Sequence, residues 1–163
     1  MKTHPLLLLL ALVGLLATAC DPCARTKCQN GGSCDSGICY CPVGYEGTAC
    51  ETEWSAKFVG GSATVQAVNC GKTFSSDIQR VDNQTIKIYN LGGFSNATTC
   101  TREQTAVKAK LITNTDITID DTFCTNFHLQ GSGSFNRTTK QLTITYYCDF
   151  PGGNETCKAI YQY

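Results

Sequence analysis

Six cysteines crowded between Cys23 and Cys50, at the spacing C-x4-C-x5-C-x4-C-x-C-x8-C, limit what this chain can fold into more than any other feature. They are Cys23, Cys28, Cys34, Cys39, Cys41 and Cys50. A segment of about thirty residues buries too little apolar surface to fold unaided. Cross-links compensate by restricting the unfolded chain, typically by about 2–4 kcal/mol each in a model-dependent account. Spacing alone leaves fifteen pairings open.

Twelve cysteines in 163 residues belong to an oxidising compartment. The 13 basic and 13 acidic residues cancel, and no basic stripe interrupts them, so a nucleic-acid partner has no electrostatic support. Lys2 and His4 precede an apolar run from Leu6 to Leu16 and the small residues Ala17-Thr18-Ala19. That order marks residues 1–19 as a signal peptide. Its apolar run is too short for a membrane-spanning helix, which needs about 20 residues, and no later stretch is longer. Cys20 follows at once and resembles the lipobox cysteine of bacterial lipoproteins, although position −3 is Ala17 rather than leucine. That resemblance implies lipidation of Cys20 and attachment to a membrane. Ordinary cleavage, with Cys20 left for a disulfide, is the alternative. Lipidation would leave an odd number of thiols.

After Glu51-Thr52-Glu53 the composition shifts to threonine and β-branched residues. Thr85–Tyr89, Asp116–Asp120 and Gln141–Tyr146 alternate apolar and polar with period two, as half-buried antiparallel strands do. Gly60-Gly61, Asp82-Asn83, Gly92-Gly93, Asn114-Thr115, Gly131-Ser132-Gly133 and Pro151-Gly152-Gly153 read as turns. Seven or eight strands follow, closed as a β-barrel or stacked as a β-sandwich. Thr101–Lys110 is rich in helix formers, yet Val107, Ala109 and Leu111 alternate, which favours a strand.

The segment Cys23–Cys50 resembles an epidermal-growth-factor-like (EGF-like) module, with Asn30-Gly31-Gly32 and Pro42-x-Gly44-Tyr45-x-Gly47-x-x-Cys50 in place. The resemblance implies the pairing Cys23–Cys34, Cys28–Cys39 and Cys41–Cys50, and a role for Tyr45 packed across the terminal hairpin. Calcium-binding members carry more acidic and amide residues than Asp21 and Asp35 supply here, so no metal or other cofactor is expected. The whole chain resembles small surface lipoproteins of Bacteroidetes-type bacteria. The carrying residues are Cys20-Asp21-Pro22-Cys23, Glu51–Trp54, Phe58-Val59-Gly60, Gly131-Ser132-Gly133 and Cys157. The expected architecture is all-β. Residues 1–19 are the signal peptide and 20–51 the lipidated cysteine and EGF-like module. Residues 52–55 form a linker, and 56–163 an antiparallel barrel or sandwich, with a lipocalin-like barrel favoured on pattern alone.

Cys70, Cys100, Cys124, Cys148 and Cys157 remain. Cys70–Cys157 would join neighbouring strands of a closed barrel. A hairpin about Asn136–Lys140 would bring Cys124 to Cys148. A Cys148–Cys157 clip competes with both, and Cys100 is left free or paired with an unlipidated Cys20. Metal binding is not expected, for no C-x-x-C pair accompanies these thiols.

No catalytic residue is expected. His128, the single histidine after the leader, stands in a strand, and Asp120-Asp121 reads as a solvated strand end. No nucleophile elbow, phosphate loop or paired-carboxylate motif is present. The sequons at Asn83, Asn96, Asn136 and Asn154 are glycosylation candidates in a eukaryotic secreted protein, and by-products of a Thr- and Asn-rich domain in a bacterial one. The leading expectation is a non-enzymatic cell-surface or outer-membrane lipoprotein. Its EGF-like spacer presents a β-domain to an unknown protein or glycan. The alternatives are a carrier whose barrel holds a small apolar ligand among Ile86, Ile88, Ile117, Ile119, Leu142 and Ile144, and a secreted adhesion or signalling protein.

Overall fold

The computed structural model describes residues 21–60, 62–67, 73–93, 100–124, 127–150 and 153–163, with the backbone alone at 62–67, 73, 148–150 and 153–155. The leader, Cys20, Cys70 and Asn96 lie outside the described residues. Two compact units emerge. One contains residues 21–42 and 47–51, and the other residues 43–46 and 52–163.

The first unit is held by cross-links rather than by a core. A 3-10 turn, Pro22–Ala24, is capped by Asp21, whose Oδ1 accepts the Cys23 N–H at 2.8 Å. Strands β1 (Ser33–Asp35) and β2 (Ile38–Tyr40) form an antiparallel hairpin. Disulfides join Cys23 to Cys34, Cys28 to Cys39 and Cys41 to Cys50, the pairing implied by the module resemblance. Among the described residues of this unit only Cys50 is buried. Gly32 packs so close to it that a Cβ would lie 2.7 Å from the Cys50 sulfur.

The second unit starts with a small hairpin of β3 (Tyr45–Glu46) and β4 (Thr52–Glu53), followed by a 3-10 turn, Trp54–Phe58. Residues 52–55, expected as a linker, are therefore structured, and Ser55 is buried. Eight strands follow: β5 (Ser62–Ala67), β6 (Thr73–Arg80), β7 (Thr85–Tyr89), β8 (Val107–Leu111), β9 (Asp116–Phe123), β10 (Phe127–Asn136), β11 (Gln141–Phe150) and β12 (Gly153–Gln162). Each pairs antiparallel with the next, and β12 returns to β5 through Ala159 opposite Ala67 and Ile160 opposite Gln66. The domain is thus a closed up-and-down barrel, not a sandwich. Closure removes the exposed edges that an open sheet would have to protect.

Alternation explains the strands. In β8 the apolar residues Val107, Ala109 and Leu111 are buried while Lys108 and Lys110 face solvent. The helix-forming stretch before it is a single 3-10 turn, Glu103–Thr105. Gly131 and Gly133, read as a turn, lie inside β10, opposite Tyr146 and Ile144 of β11. A Cβ on Gly131 would stand 2.7 Å from the Thr145 carbonyl oxygen, so glycine is what lets the strands approach there. Phe58 plugs the end of the barrel marked by the 81–84, 112–115 and 137–140 turns. It packs edge-on against Phe135 at 5.5 Å and accepts the Tyr163 hydroxyl on its carbonyl oxygen at 2.9 Å.

The expected Cys124–Cys148 bond is not formed. Cys124 is bonded to Cys100. The hairpin about Asn136–Lys140 exists, but its arm β10 begins only at Phe127, and Cys148 faces Leu129. Cys124 sits before that arm, in the β9–β10 turn. There its N–H donates to the Gln104 carbonyl oxygen at 2.9 Å and draws the 100–105 segment to it. Cys100, expected to be left over, is therefore paired. Cys157 is disulfide-bonded as well. The proposed partners Cys70 and Cys148 lie, respectively, outside the described residues and in a stretch described by backbone alone.

Candidate functional site

The positions that would line a ligand cavity are closed. Ile86, Ile88, Ile117, Leu142 and Ile144 are each 0% exposed and Ile119 is 2% exposed, within one continuous core. A water-sized void beside them would leave accessible surface, so these side chains are spent on packing one another. Even the polar group in their midst is paired: the Ser76 hydroxyl donates to the Tyr89 carbonyl oxygen at 2.6 Å and lies 3.0 Å from the Tyr161 hydroxyl. Burial pushes the Tyr161 phenol far above its usual range, so it remains a neutral hydroxyl.

Among the described residues the outward positions are mostly polar, with Tyr147 on β11 an exposed aromatic exception. Across β9, β10 and β11 they form rows set by register: Thr118, Ser132 and Thr145 in one, Asp116, Ser134 and Thr143 in the next. Lys108, Lys110 and Lys158 continue this exposed surface on β8 and β12. A barrel wall of lysines, aspartates and threonines suits water rather than lipid.

A shallow groove of about 330 Å³ indents this wall, lined by Ile112, Asp116, Ile117, Ser132, Gly133, Ser134, Thr143 and Thr145. Its carboxylate is held in place by the β8–β9 turn: the hydroxyls of Thr113 and Thr115 donate to Asp116 Oδ2 at 2.6 and 3.2 Å. In return the Asp116 N–H donates to the Thr113 hydroxyl at 2.9 Å. Hydrogen bonds from Thr113 and Ser134 hold the Asp116 carboxyl below its ordinary range, so it is ionised at neutral pH. Ile112 stands at the rim, 60% exposed.

His128 and Asp120 meet on the same outer wall, with Nε2 2.6 Å from Oδ1. Asp121 turns away from them to accept the backbone N–H groups of Lys108 and Thr122 at 2.8 and 2.9 Å. Asp120, Asp121 and His128 thus divide into an exposed pair and a strand clamp. Among the described residues no three His, Cys, Asp or Glu side chains are placed to hold a metal ion. Asp21 and Asp35 are engaged locally, Asp21 as the cap described above and Asp35 with the Ser36 hydroxyl at 3.1 Å.

Two clusters lie beyond the sequence expectations. Glu46, Lys57, Asn114 and Arg137 converge at the plugged end. On the outside of β6–β7, Arg102 stacks over the Tyr89 ring at 4.3 Å and bonds both carboxylate oxygens of Asp77 at 2.6 and 2.7 Å. The groove had a usable signal, the same-face spacing of Ser132 with Ser134 and of Thr143 with Thr145. The two clusters had none.

No protein-family model matches the chain. Among solved structures it is similar to EF1p2_mFAP2b bound to DFHBI, with 16% identity and a TM-score of 0.45 over 66% of this chain and 95% of that one. It is also similar to a protein of Bacteroides fragilis NCTC 9343 provisionally called an outer membrane protein, with 17% identity and a TM-score of 0.41 over 68% of this chain. This chain spans about half the length of the latter, 52%.

Proposed function

We propose that this protein is a non-enzymatic, lipid-anchored surface protein of bacterial type. In this reading Cys20 carries the lipid and the EGF-like module of residues 21–51 serves as a cross-linked spacer. The barrel presents its outer wall for binding. The observation that carries the reading is the contrast between the barrel's two faces. Its inner positions at Ile86, Ile88, Ile117, Leu142 and Ile144 are closed even to water, while the outer wall is polar and grooved. A barrel built this way holds its partner outside. The disulfides support an extracytoplasmic location, because such bonds persist in oxidising compartments.

The test is the intact mass of membrane-extracted protein, combined with protease or antibody access to the barrel on whole cells. Residues 20–163 plus acyl chains, with the barrel accessible, is the expected result. An unacylated soluble chain would overturn the anchor in favour of secretion. An acylated chain shielded in intact cells would overturn surface display.

A further inference from the structure

We propose that the groove on the outer wall is a subsite for a neutral saccharide. The inference deepens the reading of that wall as the binding face and rests on it. The groove offers the hydroxyls of Ser132, Thr143 and Thr145 and one carboxylate, Asp116, to which Ser134 already donates, beside the exposed aliphatic side chain of Ile112. Each hydroxyl can donate one hydrogen bond and accept two, while the carboxylate only accepts. A polyol satisfies both kinds of group with one repeated function, and its C–H face suits Ile112.

Other ligand classes fit less well. An anion would meet the Asp116 charge with no cationic side chain in the lining. A divalent cation such as calcium wants about six to eight oxygens, several of them charged. Here it would find a single carboxylate already accepting bonds from Thr113 and Thr115. A protein interface is built round an apolar centre, and among the side chains lining the groove Ile112 is the one exposed apolar residue. The volume, about 330 Å³, lies at the small end of ligand sites. Asp116 is fixed in advance by its turn, so binding spends little on ordering it.

The experiment is an amide NMR titration of the full, disulfide-bonded chain. The probes are methyl glycosides of glucose, galactose, mannose and N-acetylglucosamine, with calcium and acetate alongside. At least one glycoside is expected to shift the amides of residues 132–134 and 143–145, with a dissociation constant of roughly millimolar order. Asp116→Asn and Ser132→Val should each weaken that binding at least about tenfold, a loss of about 1.4 kcal/mol; Ser132→Val suits an exposed strand position and guards against a variant that disturbs the 112–115 turn. The proposal is overturned by any of three results: no glycoside moves these amides, calcium or acetate moves them equally, or both variants bind like the parent. A silent groove on a barrel still accessible at the cell surface would remove the saccharide and leave surface display standing.

Discussion

Glu46 and Lys57 form an ion pair at 2.5 Å between the small β3–β4 hairpin and the 3-10 turn that plugs the barrel. Both side chains are mostly buried, at 17% and 14% exposure. Asn114 and Arg137, from two of the turns at that end, donate to the same carboxylate. Three stretches distant in sequence, residues 46–57, the turn at 114 and the turn at 137, are thus tied together through one acidic group. Burial pushes the Glu46 carboxyl up, but the hydrogen bonds and charges of Lys57 and Arg137 outweigh it and leave the carboxyl below its usual 4.5.

Replacing Glu46 by Gln should therefore cost about 2 kcal/mol at pH 7, in the range for a charge-assisted hydrogen bond. The sign of the pH dependence follows from the lowered folded value. The Glu46 contribution is fully present above about 4.5, and is lost as pH falls through the lower folded value. Urea denaturation of parent and Glu46→Gln proteins between pH 7 and pH 2 checks this. The stability difference should shrink below about pH 4.5, and a difference independent of pH would contradict the assignment.

Gly131→Ala is expected to destabilise the barrel by about 1–3 kcal/mol, the usual cost of overpacking. The new methyl group would press on the Thr145 carbonyl oxygen at 2.7 Å and the Tyr146 Cβ at 3.0 Å, both fixed by the β11 backbone. Gly60→Ala is the control, since its nearest neighbour is a Tyr163 ring atom at 3.8 Å. Thermal denaturation should separate the two variants clearly. Equal melting temperatures would show that β10 does not need glycine at 131.

These glycines also show where sequence reading succeeds and fails. Thr85–Tyr89 is legible to the residue as β7, because its alternation is imposed by one buried and one wet face. The residue stretch Gly131-Ser132-Gly133 is ambiguous, because glycine serves turns and close strand contacts alike. Sequence alone gives Cys124 the wrong partner because the β9–β10 turn carries neither Gly nor Pro, so two hairpins read as one. The Glu46 cluster gathers residues 46, 57, 114 and 137, and no local pattern announces such a meeting. Asp116 was legible as a strand residue, but its grip by Thr113 and Thr115 depends on a turn geometry that periodicity does not encode.

Removing the Cys100–Cys124 bond by a double serine substitution should cost about 3 kcal/mol, from a sequence separation of 24 residues. The barrel should keep its far-ultraviolet spectrum, since no strand pairing passes through the bond. The 100–105 segment should loosen, because its other ties include the exposed Arg102–Asp77 pair, and exposed pairs contribute little. Hydrogen exchange at the Cys124 amide, bonded to the Gln104 carbonyl oxygen, reports this directly. Exchange and urea midpoint both unchanged would mean that the segment is held by its other contacts.

The close packing of the described inner positions is testable through Ile144, which is 0% exposed and faces Gly133 across β10–β11. Ile144→Ala should cost about 2–5 kcal/mol, since the surrounding barrel strands relax only partly around the lost methyl groups. It should also create space that the parent lacks at this position. A small apolar probe such as benzene should therefore raise the melting temperature of the variant and leave the parent unmoved, because only a ligand bound to the native state stabilises it. Stabilisation of the parent that Ile144→Phe abolishes would locate a cavity at the centre of the barrel, and the carrier reading would then replace the outer wall as the place where this protein binds.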